Sequence, residues 1–403
     1  MRILLTDGSG LTARQSATRL AAAGHTVEAL SPDPICLCRF TRHVHRIRKV
    51  PAYGADPLGW LDVALTTYRT GRFDVLFPTQ EQVAVLAAAP DRLAAEGVAT
   101  AVPPFAALAS VQDKVSAFRT MGRLGMPRPE SAVGPEGWTR FPAFVKEPIG
   151  TASAGVRRVA SPKELDKATV AGRPVLVEAA VDGPLAMCQS VFDHGSLVAF
   201  HANQRLGEGA NGGASHKRSI DLPEARAWLE VLGADLAWHG GLSADVILTE
   251  DGPLFIDVNP RLVEPENAWR SGVDLVGALL AVARGSHPGP QLHGSVGVAT
   301  HQLLLAVLGV AQQGEGRRGV ARELVAAWRR TGPYAGSVEE LTPTAGDCLA
   351  AAPLVAAAVA TLARPATWSA FTSSTVANYA LTAQGWDRIV RELPAGPGTA
   401  AGR

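Results

Sequence analysis

The chain has 403 residues, 47% of them hydrophobic and 19% charged, with a formal net charge of +1. That size exceeds one ordinary core and the mixture is globular, which excludes a disordered chain. The near-neutral balance argues against a field that gathers nucleic acid or anionic membrane, and four cysteines are too few for a disulfide scaffold.

The N-terminal run from Met1 to Leu5 turns polar at Thr6-Asp7, without the apolar region and cleavage site of a secretory signal. Residues 2–6 read as a buried strand, Asp7-Gly8-Ser9-Gly10 as a turn, and Leu11 to Ala23 as a helix stopped by Gly24. Thr26 to Leu30 and Phe73 to Phe77 are further strands, the second ended by Pro78, and Glu81 to Ala95 is predicted helical. This pattern predicts a Rossmann-like α/β unit over residues 1–105. Within it, Gly8-x-Gly10-x-x-Ala13 fits a dinucleotide fingerprint, with Asp33 about twenty residues on. Cys36-x-Cys38 with His43 and His45 lacks zinc-finger spacing and reads as small buried residues. Arg39, Arg42, Arg46, Arg48 and Lys49 read as a solvated face.

Asp113 to Leu124 is predicted to be the first helix of a second region, with Gly125 and Pro127 as stops. Strands are expected at 143–146, 156–160, 174–178, 187–192, 197–202, 243–249 and 253–258. Ser161-Pro162-Lys163-Glu164 is a capping box that opens one helix, and Glu224 to Trp238 is another. The mixture is α+β. From about residue 265 the chain turns helical and alanine-rich, and the tail after Pro394 is expected to be disordered. The apolar run Cys348 to Ala363 is broken by Pro353 and falls short of the ~20 residues of a spanning helix. A cytoplasmic, reducing location is expected.

The chemistry concentrates between Asp245 and Arg261. Glu250-Asp251-Gly252 is a hairpin signal, and a three-residue loop there would set Asp245 opposite Asp257, with Asn259 on the same face. A two-residue loop would turn Asp245 to the other face. Two carboxylates and an amide oxygen suit Mg²⁺ held together with phosphates, and the adjoining Arg261 can fork onto phosphate or carboxylate. Upstream, Lys146 ends a buried strand, and Gly150 to Val156 is a small-residue loop able to bring N–H groups close to phosphate. It is not a P-loop, since no Gly-Lys-Ser/Thr is present. Lys114 is a second candidate cation. Val175 to Val181 is a strand running into a hinge, whose backbone could meet an adenine edge. Gly207 to Gly213, between Gln204-Arg205 and His216-Lys217-Arg218, reads as a lid over phosphates.

Taken in order, these segments resemble the ATP-grasp superfamily over residues 1–285, and most of all its carboligases and carboxylate–amine ligases. The resemblance implies a Rossmann-like pre-ATP-grasp domain (1–105), an ATP-grasp small lobe (106–180), a large lobe with the metal site (181–285) and a mainly helical extension (286–403). It implies that Lys114 and Lys146 contact ATP phosphates together with Gly150, Ser153 and Gly155 of the loop. Glu178 and the backbone of Ala180 would sit at the adenine end. Asp245, Asp257 and Asn259 would hold Mg²⁺ or Mn²⁺, and Arg261, Arg205 and Lys146 would act on the reacting groups. The implied activity is ATP-dependent activation of a small-molecule carboxylate as an acyl-phosphate and its capture by an amine, without nucleic acid or membrane as partner. A homodimer is compatible with it. Alternatives are a bicarbonate-using carboxylase with a separate carrier, an ATP-binding sensor or scaffold, and a dinucleotide oxidoreductase. Two departures from the family pattern stand out: both metal carboxylates are aspartate where glutamate is common, and Ala186-Met187 stand where many relatives place an acid for the ribose.

Overall fold

The computed structural model describes residues 1–151, 154–169, 174–341 and 346–393, without the side chain of Ser374. The N-terminal unit is a parallel sheet in the order β3-β2-β1-β4, formed by β1 (Arg2–Leu5), β2 (Thr26–Ser31), β3 (Arg46–Lys49) and β4 (Val75–Phe77). Ile3, Leu4 and Leu5 are wholly buried, as expected of a central strand covered on both faces. α1 (Leu11–Ala22) and α2 (Pro57–Gly71) follow the first and third strands, and Asp56 caps α2 by accepting from Gly59 N at 3.1 Å. The helix expected over 81–95 is two, α3 (Val83–Ala87) and α4 (Pro90–Ala95), because Pro90 starts a helix but has no N–H to continue one. β3 lies at the sheet edge, and its Arg-Ile-Arg-Lys sequence hides it from a search for buried strands.

α5 (Phe105–Gln112) and α6 (Lys114–Arg123) lead into the second sheet, and Asp113 caps α6 by accepting from Val115 N and Ser116 N at 2.8 and 2.9 Å. That sheet is antiparallel in the order β5-β8-β6-β7, from β5 (Ser131–Val133), β6 (Ala143–Lys146), β7 (Val156–Val159) and β8 (Leu176–Ala179). α7 (Pro162–Ala168) has the predicted Ser161 cap, whose Oγ accepts from Glu164 N, but Glu164 reaches back one residue past the cap and accepts from Ala160 N at 2.8 Å, so the box is displaced by one residue.

The third sheet has seven strands in the order β13-β12-β9-β10-β11-β14-β15. They are β9 (Leu185–Asp193), β10 (Ser196–Glu208), β11 (Ala214–Ile220), β12 (Gly240–Thr249), β13 (Gly252–Asn259), β14 (Ala299–His301) and β15 (Val338–Glu339). α8 (Pro223–Asp235), α9 (Glu266–Ser271) and α10 (Leu275–Ala283) accompany it. The described C-terminal residues form α11 (Leu303–Gln312), α12 (Gly316–Arg329), α13 (Ala352–Ala363), α14 (Trp368–Ala377) and α15 (Ala383–Glu392). The extension is therefore helical as expected, but it also contributes β14 and β15 to the large sheet. Its end returns to the first unit, where Thr382 Oγ1 donates to Gly54 O at 2.8 Å and Arg388 pairs with Asp56 at 3.1 Å. The tail after Pro394 lies outside the described residues.

β11 is the longest of the strands that sequence reading missed, which also include β3, β5, β14 and β15. Its Ser-His-Lys-Arg-Ser stretch is polar, yet Ser215, His216, Lys217 and Ser219 are buried. Lys217 is paired with Glu264 and, at 2.8 Å, with Glu340. These two carboxylates outweigh the burial of the ammonium and raise its pKa. Glu340 also accepts from Gln15 of α1 at 3.1 Å, Thr300 of β14 at 2.6 Å and Gln302 at 2.8 Å. One buried network thus joins the first unit, the large sheet and the extension.

Three histidines are also taken from water. His201 bonds Asn267 Oδ1 at 2.8 Å, and His216 and His301 pack their rings against Tyr334 at 4.7 and 4.8 Å. Burial lowers each to about 4, whereas the unfolded chain titrates them near ~6.5. Between these values the unfolded state binds more protons. Stability should therefore fall as the pH drops from about 6.5 to 4, by up to ~1.4 kcal/mol per pH unit for each histidine. Urea midpoints measured across this range should show the slope, and His201→Gln should remove about one proton's share of it. An unchanged slope in that variant would refute the burial account.

Candidate active site

The β12–β13 hairpin carries the predicted ligands, but it reaches the predicted register by another route. Thr249 pairs with Gly252, so the loop is the two-residue Glu250-Asp251 turn and not the expected three-residue loop. That register runs through Ile247 opposite Leu254 and Val246 opposite Phe255. Ile256 is then left unpaired as a β-bulge, and beyond it Asp245 faces Asp257 and Ser243 faces Asn259. The bulge restores the face that a two-residue loop alone would have lost. Burial first, and then the charge of Asp257, raise the Asp245 carboxyl to about 7, against the opposing pull of Arg261, Arg205 and Lys146. Two carboxylates forced together, with an amide oxygen one strand repeat away, form a hard oxygen donor set that fits Mg²⁺.

Lys146, at the end of β6, donates to the bulged carbonyl of Ile256 at 2.8 Å and pairs with Glu178 at 2.6 Å. An ammonium has three donors, so one is left for the cavity that Lys146 lines. Burial raises the Glu178 carboxyl, partly offset by Lys146. Lys114 Nζ donates to Gly150 O at 3.3 Å, which places the second cation at the start of the small-residue loop. Arg261 is held from the first unit: its Nε donates to Glu81 at 3.0 Å, and Gln112 binds the other Glu81 oxygen at 3.3 Å. With Nε engaged, the two terminal nitrogens of Arg261 remain as a fork. Arg205 Nη1 donates to Gly212 O at 2.8 Å.

One cavity of about 1160 Å³ brings together Lys114, Lys146, Gly150, Glu178, Arg205, Asp245, Asp257, Asn259 and Arg261. Gly155 and Ala180 are not in its lining. Gly155 supports the loop with φ +76°, and its carbonyl accepts from Glu147 N at 2.8 Å. The Ala180 N–H is spent on Pro142 O at 3.0 Å, so the backbone bordering the cavity at the hinge belongs to Ala179 and Val181. Ser153 lies outside the described residues. Sequence reading missed Glu81, Glu264 and Tyr379. Glu81 stands only as the first residue of a predicted helix, Glu264 follows the motif without belonging to it, and Tyr379 sits in the extension, far from any motif. Tyr379 lines the cavity, its hydroxyl has no hydrogen-bond partner among the described residues, and burial raises that hydroxyl's pKa against the opposing pull of Arg261.

The other sequence signals resolve into structure. Gly10 N donates to Asp7 at 2.6 Å, so a carboxylate already occupies the start of α1, where a dinucleotide pyrophosphate would have to sit. A Cβ on Gly10 would meet Gln80 at 2.3 Å, and one on Gly8 would meet Cys36 Sγ at 3.1 Å, so packing accounts for both glycines. Cys36 and Cys38 are buried thiols whose pKa values burial pushes up. Of the basic run, Arg48 pairs with Glu28 at 2.6 Å and none of the five lines the cavity. Gly207–Gly213 is not a free lid. Gly209 N bonds Gly213 O at 2.7 Å, Asn211 N bonds Gln312 at 2.9 Å, and a Cβ on Gly209 would meet Leu305 of α11 at 2.9 Å. Lys217, expected over phosphates, belongs to the buried network.

No helix among the described residues is long and apolar enough to cross a membrane. No family model and no characterised protein sequence matches the chain. Solved structures do. The biotin carboxylase domain of the Hydrogenobacter thermophilus 2-oxoglutarate carboxylase, in complex with MgADP, ADP and bicarbonate, superposes with a TM-score of 0.58 at 15% identity, covering 74% of this chain and 73% of that one. N5-carboxyaminoimidazole ribonucleotide synthetase from Thermus thermophilus gives 0.56 at 19% identity, over 74% and 81%. L-amino acid ligase from Bacillus licheniformis gives 0.54 at 17%, over 71% and 74%. At such identities the likeness shows architecture alone, and the architecture is that of the ATP-grasp fold.

Proposed function

We propose that this chain is an ATP- and Mg²⁺-dependent ligase that activates a small-molecule carboxylate and joins it to an amine. The observation that carries the reading is the convergence of Asp245, Asp257 and Asn259 with Lys146 and Arg261 on one cavity. In this reading residues 1–105 supply Glu81, which orients Arg261, residues 106–180 and 181–285 enclose ATP, and residues 286–403 complete the acceptor pocket. Lys114, Lys146 and the N–H groups around Gly150 hold the phosphates. Ala179 and Val181 border the adenine, and Glu178 acts through Lys146. Asp245, Asp257 and Asn259 would hold Mg²⁺, which would neutralise phosphate charge. An oxygen of the acceptor carboxylate attacks the γ-phosphorus, the bond to the β–γ bridging oxygen breaks, and ADP leaves. The amine then attacks the acyl carbon, phosphate leaves, and the nitrogen gives up a proton. Arg261 steadies the transferring group, and positioning does most of the work.

The acceptor has an apolar body. The same cavity is also lined by Ile35, Leu37 and Phe40 of the first unit and by Leu305, Phe371 and Val376 of the extension. Such a wall offers little to a charged substituent and rewards buried hydrocarbon at roughly 25 cal/mol per Å².

Three measurements test this reading. Below about pH 7 Asp245 holds a proton that competes with the cation. The apparent Mg²⁺ affinity should then drop about tenfold per pH unit below that point, and Asp245→Asn should flatten the dependence. A Mg²⁺ requirement that is the same at pH 6 and pH 8 removes Asp245 from the ligand set.

Lys146 touches phosphate already present in bound ATP, so Lys146→Met should raise KM for ATP, with melting followed in parallel because Glu178 loses its partner. Arg261→Ala should lower kcat by roughly 10²-fold with a smaller effect on ATP affinity, and Arg261→Lys should rescue poorly. If Arg261→Ala loses ATP affinity while keeping kcat, its catalytic role is wrong.

Thr375 lines the cavity, and among the described residues its hydroxyl bonds only Phe371 O of its own helix. Thr375→Trp should raise KM for long apolar carboxylates, with hydroxylamine as the trapping amine, and leave short ones and ATP binding unchanged. Equal effects on both classes would place the acceptor elsewhere.

A further inference from the structure

A second cluster of ligating side chains stands at the end of the large sheet away from the cavity. β9 stops at Asp193, the β9–β10 turn carries His194, and His239 immediately precedes β12. The β9–β12 register pairs Phe192 with Gly240, so Asp193 and His239 are the next pair outward. His194 has φ 45° and Gly195 φ 89°, a left-handed turn that lays the His194 ring over His239 with centroids 4.2 Å apart. Asp193 Oδ1 lies 3.5 Å from His239 Nδ1 and 3.9 Å from His194 Nε2. One ligand atom from each of the three lies within 4.8 Å of the others. The other oxygen, Oδ2, meets His287 Nδ1 at 2.5 Å.

Two features here call for a cation. The Asp193 side chain is only 12% exposed, yet among the described residues no lysine or arginine pairs with it. A carboxylate so withdrawn from water ordinarily has a cationic partner. Independently, His239 Nδ1 is buried without a hydrogen-bond partner, and it is the nitrogen turned toward that carboxylate.

We propose that Asp193, His194 and His239 bind one divalent transition-metal ion of the zinc type, with His287 orienting the carboxylate through its second oxygen. Two imidazoles and one carboxylate suit Zn²⁺, Co²⁺ or Ni²⁺ better than Mg²⁺ or Ca²⁺, which prefer all-oxygen shells. Binding needs the three donors drawn to about 3.3 Å apart, as metal–nitrogen bonds near 2.0–2.1 Å in a tetrahedron require. The His194 side chain is 70% exposed and free to make that adjustment. Three protein ligands leave a position for water. The site is separate from the catalytic one: Asp245 pairs with Met187, six residues back along β9, or about 20 Å at strand rise. Its ion ties the β9–β10 turn to the start of β12 and, through His287, to the segment after α10.

The test uses tag-free, chelator-treated full-length protein in excess Mg²⁺, so that the oxygen site does not compete. Co²⁺ titration should give one equivalent with the visible absorption of a low-coordinate site. Zn²⁺ should displace it and raise the melting temperature. His194→Ala, at an exposed turn, and Asp193→Asn should each weaken Co²⁺ binding tenfold or more, and His287→Ala by about 10- to 100-fold as an outer partner. ATP-dependent ADP release should be the same in His194→Ala as in the wild type. Absence of the Co²⁺ band in the wild type, or its survival at full affinity in both His194→Ala and Asp193→Asn, overturns the proposal.

Discussion

The site depends on one extra residue in one strand. Without the bulge at Ile256, the two-residue turn of the β12–β13 hairpin would carry Asp245 and Asp257 to opposite faces of the sheet. The bulge also frees a carbonyl from the ladder, and Lys146 of the other sheet uses it, at 2.8 Å. A single irregularity therefore sets Asp245 and Asp257 side by side and anchors Lys146 to the same strand. Glu178 completes the link from β8. Lysine, bulge and carboxylate fix the two sheets relative to each other at the point where a nucleotide would lie between them.

A second constraint holds the far side of the cavity. Lys217, Glu264 and Glu340 are buried together, and Gln15, Thr300 and Gln302 satisfy the remaining acceptor positions on Glu340. Removing one member would strand a buried charge, which costs far more than a surface pair is worth. This network explains why the extension cannot be regarded as an appendage. β14 carries Thr300, Glu340 directly follows β15, and α14 leads to Tyr379 at the cavity wall. The same sheet that carries Asp245, Asp257 and Asn259 is continued by the extension, which also lines the cavity.

Most of the architecture was legible because its signals are local. Apolar runs, the Asp113 and Ser161 caps and the glycine stops each act within a few residues. The candidate ligands were legible because an Asp-x-Asn-Pro-Arg stretch on a hairpin has few structural reasons to exist. What stayed hidden was non-local. β11 is buried through partners 47 and 123 residues away, so its polar letters carry no strand pattern. Glu81 meets Arg261 across 180 residues. The loop length was misread because a bulge can compensate for it, and turn composition does not report on a bulge six residues away. The Ala180 N–H, read from the sequence as a free hinge donor, is engaged by Pro142 O, a backbone bond that only the fold creates.

β12 and its two neighbours, β9 and β13, place different chemistry at the two ends of the sheet. At the cavity end the donors are aspartate and asparagine oxygens, opposed by Arg261, Arg205 and Lys146. Such a set favours a hard cation that arrives with phosphates and leaves with them. At the other end the donors are imidazoles around one carboxylate that, among the described residues, pairs with no lysine or arginine. Softer nitrogen donors favour an ion that stays. The antiparallel register links the two ends, since it puts Asp245 opposite Met187 and carries Asp193 to His239. A slip of one residue between these strands would turn every side chain to the other face and dismantle both sites at once. The buried apolar residues of this strand pair, Cys188, Phe192, Leu242 and Val246 among them, oppose such a slip and so hold both donor sets in place.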